Sequence, residues 1–230
     1  MMARLGSVIA YCAGEGSSAC VDLRLGAIAR AAEVIKSGEL IVFPTDTVYG
    51  LGADAFNPAA VQRLLDAKNR GRAMPSPVLA ATAAAAFALA SNVPEGAMAL
   101  ADAFWPGALT LVLPVRAELK LNLGDKSDTI ALRVPDDRFA RELLRATGPL
   151  AVSSANLSGE PSALDCPSAR EMLGEAVSLY LDGGPVSGGV ASTIIDFSTD
   201  EAGVLQRAGA ISLEQIQSVL PGVRLAESHV

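Results

Sequence analysis

The chain has 230 residues, half of them hydrophobic and 19% charged, with a formal net charge of −7. That length suits one domain with a packed core and excludes a disordered chain. The acidic total argues against a protein that coats nucleic acid, so any polyanion contact must be a local basic patch. No apolar run approaches the ~20 residues of a membrane span, and Val8-Ile9-Ala10 is shorter than the roughly 7–15-residue core of a signal peptide. Three cysteines, Cys12, Cys20 and Cys166, are odd in number and lack metal-ligand spacing, which predicts a reducing cytoplasm.

Residues 1–20 read as an N-terminal extension, loose or forming an edge strand. Val21–Lys36 carries apolar residues at helical spacing and ends at Ser37-Gly38. Leu40–Phe43 is a buried strand, stopped by Pro44, which has no N–H for a ladder. Three small polar side chains follow in Pro44–Gly52, and its two glycines let the backbone approach a ligand closely. Asn57-Pro58 opens a helix that runs to Lys68. Val78–Ala80 is a short strand, and Ala83–Ala90 and Glu95–Ala103 are helices. Leu109–Leu113 and Thr129–Val134 are strands, and Asp136/Asp137 cap a helix to about Ala146. Leu150–Val152 is a buried strand, Pro167–Leu173 a short helix, and Val177–Leu181, Thr193–Phe197 and Gly203–Gln206 are strands. Ser212 caps a last helix, Leu213–Leu220. The alternation predicts an α/β fold: one domain over 21–221 with a twisted mixed open sheet, flanking helices and a concave central cleft. Residues 222–230 read as a frayed tail that holds the only histidine, His229, a solvated terminal residue.

Several nucleotide and hydrolase signatures are missing. The chain has no Gly-x4-Gly-Lys-Ser/Thr loop, no Gly-x-Gly-x-x-Gly and no Gly-x-Ser-x-Gly elbow. With no usable histidine, Ser–His and Cys–His nucleophiles and a His/Cys metal site drop out. Arg, Lys, Ser, Thr, Asn and Gly remain, an inventory that suits phosphate and carboxylate binding by positioning and charge. Lys68, Arg70 and Arg72 follow a helix closely, with Arg63 upstream; they are either a solvated helix end or an anion site. Ser153-Ser154-Ala155-Asn156 follows an apolar strand and is either a turn or a set of ligand donors at a strand's carboxyl end. Arg133 lies in an apolar strand, so it either faces outward or needs an anionic partner such as a substrate carboxylate. Ser192-Thr193 enters another apolar strand, and Arg207 follows Val204-Leu205. Phe104-Trp105-Pro106-Gly107 reads as a packed turn, and Gly183–Gly189 as a loop that could close over a site.

Taken in order, Pro44–Gly52, Lys68-x-Arg70, Phe104–Leu113, Thr129–Pro135, Ser154-Ala-Asn156 through Ser162, Ser192–Asp196 and Arg207 resemble the YrdC/TsaC family of threonylcarbamoyl-AMP synthases. The run Gly71–Met74 looks like the family's actinobacterial branch. The resemblance implies a nucleotidyltransferase that makes threonylcarbamoyl-AMP and pyrophosphate from ATP, bicarbonate and L-threonine, with Mg²⁺ accompanying ATP. Its product feeds a threonylcarbamoyltransferase complex that modifies tRNA. It further implies Lys68 and Arg70 as catalytic residues. Lys68, Arg70, Thr129, Ser154, Asn156, Ser162 and Arg207 would hold ATP, and Thr47, Arg133, Val152 and Ser192 would hold threonine. No enzyme nucleophile is needed, in keeping with the missing histidine. Met74 and Leu79 stand where many members carry Asn and His, and Arg72 is a neighbour placed to substitute for one of them. A second domain found in some relatives is expected to be absent. Two other readings compete: a double-stranded RNA-binding module of the same fold, and a carbamoyl-phosphate-using relative. The 4% aromatic content disfavours single-strand recognition by stacking, and the zinc-type cysteine motifs of the carbamoyl-phosphate relatives are missing.

Overall fold

The computed structural model describes residues 6–11, 18–125 and 128–226. Cys12 and His229 lie outside the described residues. The elements in chain order are β1 (Ser7–Ala10), α1 (Ser18–Lys36), β2 (Ile41–Phe43), β3 (Gly50–Asp54), α2 (Pro58–Ala67), β4 (Val78–Leu79), α3 (Ala83–Phe87), α4 (Glu95–Phe104), β5 (Leu109–Pro114), β6 (Thr129–Arg133), α5 (Arg138–Thr147), β7 (Leu150–Ser154), α6 (Cys166–Leu173), β8 (Leu179–Asp182), β9 (Thr193–Asp196), β10 (Val204–Arg207), α7 (Leu213–Val219) and β11 (Arg224–Leu225). No described helix is long and apolar enough to cross a membrane.

Eleven strands form one mixed sheet in the order β1-β8-β2-β3-β7-β4-β6-β5-β9-β10-β11. Short polar caps set the helix starts. Asn57 Oδ1 accepts from the backbone N–H groups of Ala59 and Ala60, Asp137 from Ala140, and Ser212 forms a reciprocal capping box with Gln215. Asp136 is not a cap; it pairs with Arg141 at 2.8 Å.

The sheet's two halves are covered differently, and the period-2 alternation of a strand shows how. In the half containing β2, β3 and β8 both faces are buried. Ile41 and Phe43 pack with α1 and α5, while Leu40 and Val42 pack with α2 and α6. In the other half, Leu109, Leu111, Leu113, Ile130, Leu132 and Ile195 pack under α3, α4 and α7. The alternate residues Thr110, Val112, Thr129, Ala131, Arg133, Ile194 and Asp196 face an open cleft instead.

The largest departure from the sequence reading is β3. Residues Gly50–Asp54, given no strand from the sequence, form one, antiparallel to β2 on one side and to β7 on the other. Its glycines serve the sheet: a Cβ on Gly52 would come within 2.9 Å of the Phe43 ring. Helix α3 stops at Phe87, three residues short of the expected end. Two edge strands fall in segments read as extension and tail: β1 pairs with β8, and β11 with β10. The expected packed turn at Phe104–Gly107 is present, with Trp105 Nε1 donating to the Leu109 carbonyl at 2.7 Å.

Candidate active site

The cleft encloses about 870 Å³, the size of a small-molecule pocket. One wall is the turn between β2 and β3. Thr45 is buried and organises it: its Oγ1 donates to the Val48 carbonyl at 2.7 Å and accepts from the backbone N–H groups of Thr47 and Val48. That turn presents Thr47 and Asp46 to Arg133.

Arg133, at the end of β6, is only 7% exposed. Its Nε donates to Gly107 O at 3.0 Å, one terminal nitrogen to Thr47 Oγ1 at 2.9 Å and the other to Asp46 Oδ1 at 2.6 Å. A guanidinium has five N–H groups, so one remains on each terminal nitrogen, the number a carboxylate takes in a forked pair. Burial pushes its pKa down, and the Asp46 carboxylate opposes that shift.

Two more arginines reach the same space. Arg70 donates to Ser153 Oγ at 3.0 Å, and its buried Nε has no partner. Arg207 donates to the Ser192 carbonyl at 2.7 Å and to Ser192 Oγ at 3.2 Å. The register of β10 shifts between Leu205 and Arg207, so Gln206 and Arg207 both face the cleft. Burial lowers the pKa of both arginines, and the charges of Arg133 and Arg70 lower that of Arg207 further. Among the described residues neither Arg70 nor Arg207 forms an ion pair. Three cations thus share a cleft that Asp128 and Asp196 also line, and among the described residues only Arg133 of the three is ion-paired. Such a site is built for an anion.

Thr129, Ser154, Ser162, Thr47, Val152 and Ser192 line the cleft with these arginines, so nine of the eleven residues singled out from the sequence meet there. Ser192 Oγ lies 2.8 Å from Thr110 Oγ1. Lys68 and Asn156 stand behind the wall rather than in it. Lys68 Nζ donates to the carbonyls of Ser154 and Asn156 and to Asn156 Oδ1, and Asn156 Nδ2 donates to the carbonyls of Leu157 and Glu160.

Met74 and Leu79 do line the cleft, Met74 at its mouth with 62% exposure. Arg72 does not replace the lost polar groups. Its guanidinium turns outward to Gln62 (2.7 Å), Asn122, the Gly124 carbonyl (3.4 Å) and Asp125 (3.3 Å), tying α2 to the 122–125 loop. Sequence reasoning gave no role to Thr45, Asp46 or Thr110, while Ser153 stood in the donor set already named after β7. The first two sat in the motif already singled out. Thr110 was marked by being polar between Leu109 and Leu111.

The glycine-rich segment is fastened to this site. Gly189 N donates to Thr47 O at 2.8 Å, and Tyr49 Oη donates to Gly184 O at 2.6 Å. A Cβ on Gly188 would come within 2.4 Å of the Asp46 carbonyl oxygen, so backbone would have to move. Gly188→Ala is therefore expected to lower Tm by a few degrees and to weaken binding at the Arg133 end about tenfold. Differential scanning fluorimetry and ligand titration check this; an unchanged protein would show that the loop is free to lift away.

Lys68 also sets a pH dependence. Burial, then the neighbouring charge of Arg70, pushes its pKa from 10.5 down to about 8. The three surrounding oxygens favour the ammonium and work against that fall, which keeps it largely protonated at neutral pH. Between about 8 and 10.5 the unfolded chain holds a proton that the folded chain has lost, so this group's contribution to stability rises with pH across that window. The Tm of the wild type relative to Lys68→Met should therefore rise over the same interval. A constant gap would show that the folded-state pKa is not depressed.

The family model Sua5_yciO_yrdC, described as "Telomere recombination", matches residues 33–209. A candidate threonylcarbamoyl-AMP synthase of Mycobacterium leprae is 49% identical over 199 residues, 86% of this chain and 90% of its own. The threonylcarbamoyl-AMP synthase of Bacillus subtilis is 40% identical over 195 residues, covering 84% of this chain and 56% of its own length. Pyrococcus abyssi Sua5, solved in complex with L-threonine, superimposes with a TM-score of 0.83 at 36% identity, covering 96% of this chain and 62% of that one. The fold is a mixed sheet with an arginine-lined cleft on its uncovered face, an arrangement whose charge suits small anions. The chain belongs to the Sua5/YciO/YrdC family.

Proposed function

We propose that the chain is an L-threonylcarbamoyladenylate synthase. The observation that carries this is the convergence of Arg133, Arg70 and Arg207 on one cleft, where, among the described residues, Arg133 alone of the three is ion-paired. The relatives' names and the threonine complex of the Pyrococcus abyssi protein support it.

In this reading the two open N–H groups of Arg133 take the threonine carboxylate. Thr47, Ser192 and the backbone at Val152 border the same end. Arg70 and Arg207 take the phosphates of ATP, which enters as its Mg²⁺ complex, the ion being carried on phosphate oxygens and water. Thr129, Ser154 and Ser162 supply hydroxyls along the nucleotide, and Asn156 braces the loop behind them. Threonine's amine adds to bicarbonate with loss of water, giving a carbamate. A carbamate oxygen then bonds to the α-phosphorus, and the bond to the β-phosphate oxygen breaks to release pyrophosphate. The protein needs no nucleophile for this: the arginines hold the reactants in line and neutralise the charge that spreads over the phosphoryl oxygens. The enzyme is a nucleotidyltransferase of the cytoplasm, and its product passes to a tRNA threonylcarbamoyltransferase complex.

The test is an incubation with labelled ATP, L-threonine, bicarbonate and Mg²⁺. Pyrophosphate and an adenylate that require both threonine and bicarbonate are expected. ATP binding without either product would leave a nucleotide-binding relative and overturn the assignment.

A further inference from the structure

Lys68 and Arg70 are two residues apart, yet they do different things. Arg70 reaches into the cleft, whereas Lys68 is 2% exposed and does not line it. An ammonium has three N–H groups. At Lys68 three oxygens accept them: the Ser154 carbonyl, the Asn156 carbonyl at 2.6 Å and Asn156 Oδ1 at 3.3 Å. None is left for a ligand. The backbone of Lys68 joins in, because its carbonyl accepts from Ser158 N at 3.0 Å. Asn156 extends the brace, its Nδ2 reaching Leu157 O at 2.9 Å and Glu160 O at 2.7 Å.

We propose that Lys68 is a positioning residue: its ammonium ties down the turn leaving β7 and so fixes the cleft wall that carries Ser153 and Ser154. It acts on the substrates through that wall and does not touch the phosphates. Carbonyl oxygens crowded at the end of a strand repel one another, and a buried cation at their focus offsets that repulsion. The wall in turn aims Ser153 Oγ at Arg70, 3.0 Å away. Losing Lys68 therefore disorders the surface that, in the reading above, carries hydroxyls along the nucleotide as well as the serine that meets Arg70. Losing a phosphate ligand would cost only the phosphates.

The inference rests on the nucleotide reading above, and the experiment separates the two. Hydrogen–deuterium exchange is followed in the ligand-free protein over residues 153–160, for wild type, Lys68→Met and, as a control, Arg70→Ala. Adenosine and ATP are titrated into each. Lys68→Met is expected to speed exchange in that segment about tenfold and to weaken adenosine and ATP by the same factor. Arg70→Ala should leave exchange there unchanged and weaken ATP alone. Lys68→Arg should not rescue, since a guanidinium is too broad for the space among the three oxygens, whereas a phosphate contact would survive that change. Should Lys68→Met fail to fold, Lys68→Gln, which keeps two donors, is expected to give the same pattern at smaller size. Unchanged exchange with loss of ATP affinity alone, or rescue by Lys68→Arg, would overturn the proposal. If wild type binds neither ligand, the nucleotide reading falls, and the exchange data still judge the brace.

Discussion

Replacing Arg133 with alanine is expected to raise the KM for L-threonine by about two to three orders of magnitude while changing the KM for ATP only a few-fold. Truncating one member of a buried, hydrogen-bonded charge pair costs roughly 2–5 kcal/mol, and a factor of ten corresponds to about 1.4 kcal/mol. Part of that cost appears without substrate, because Asp46 loses the guanidinium that lies 2.6 Å away. Tm should therefore fall as well. The double variant Arg133→Ala/Asp46→Ala should recover much of the Tm and none of the threonine affinity, which isolates the substrate's share. Lysine should not rescue, since a point charge cannot reach Gly107 O, Thr47 Oγ1 and Asp46 together and still offer a fork. Steady-state pyrophosphate release and scanning fluorimetry measure both effects. Equal losses for threonine and ATP would rule out a carboxylate clamp here.

Arg70→Ala and Arg207→Ala are expected to do the opposite to stability. Each should lower kcat/KM for ATP by about 10²–10³, the effect of removing one charged stabiliser from a phosphoryl-transfer site. Yet Tm should hold or rise by a few degrees, because each substitution removes a partly buried cation: burial lowers the pKa of both, and the charges of Arg133 and Arg70 lower that of Arg207 further. A change of 1 kcal/mol moves Tm by about 2–4 °C in a domain of this size. Adding pyrophosphate should raise the wild-type Tm more than that of either variant, since the anion supplies the missing counter-charge. A marked Tm loss with normal kinetics would make these arginines structural. The low stability of the empty cleft is, in this view, the stored form of its affinity.

Much of this was legible in the sequence, for physical reasons that differ by element. The starts of α2, α5 and α7 were readable because a cap is a local device: Asn57, Asp137 and Ser212 each satisfy N–H groups two or three residues on. Strand β3 was hidden because Gly50 and Gly52 have loop composition, and pairing on both sides makes it a strand regardless. Edge strand β11 was hidden because it has little of its own to declare, whereas β1 was left open between a loose start and an edge strand, and its pairing of Ser7 with Leu179 makes it the strand. In the cleft, Arg133 stood out as a charge in an apolar strand. Thr110 and Val112 were available from the same alternation, read one residue out of phase with Leu109 and Leu111. The basic run could not be resolved from sequence. Lys68 points inward, Arg70 into the cleft and Arg72 outward, and only the placement of the turn leaving β7 and of the 122–125 loop decides which is which.

The pairing of β3 with β7 bears on how the protein is made. Gly50 pairs with Ser154, so the turn holding Thr47 and the turn holding Asn156 share one end of the sheet although their sequences lie far apart. As the chain leaves the ribosome, β2 and β3 can meet at once, but the far edge of β3 stays open until β7 has emerged. An open edge in a half-made chain is a template for wrong partners. Two glycines in five residues make β3 a poor template, since they weaken any strand that lacks its true neighbours.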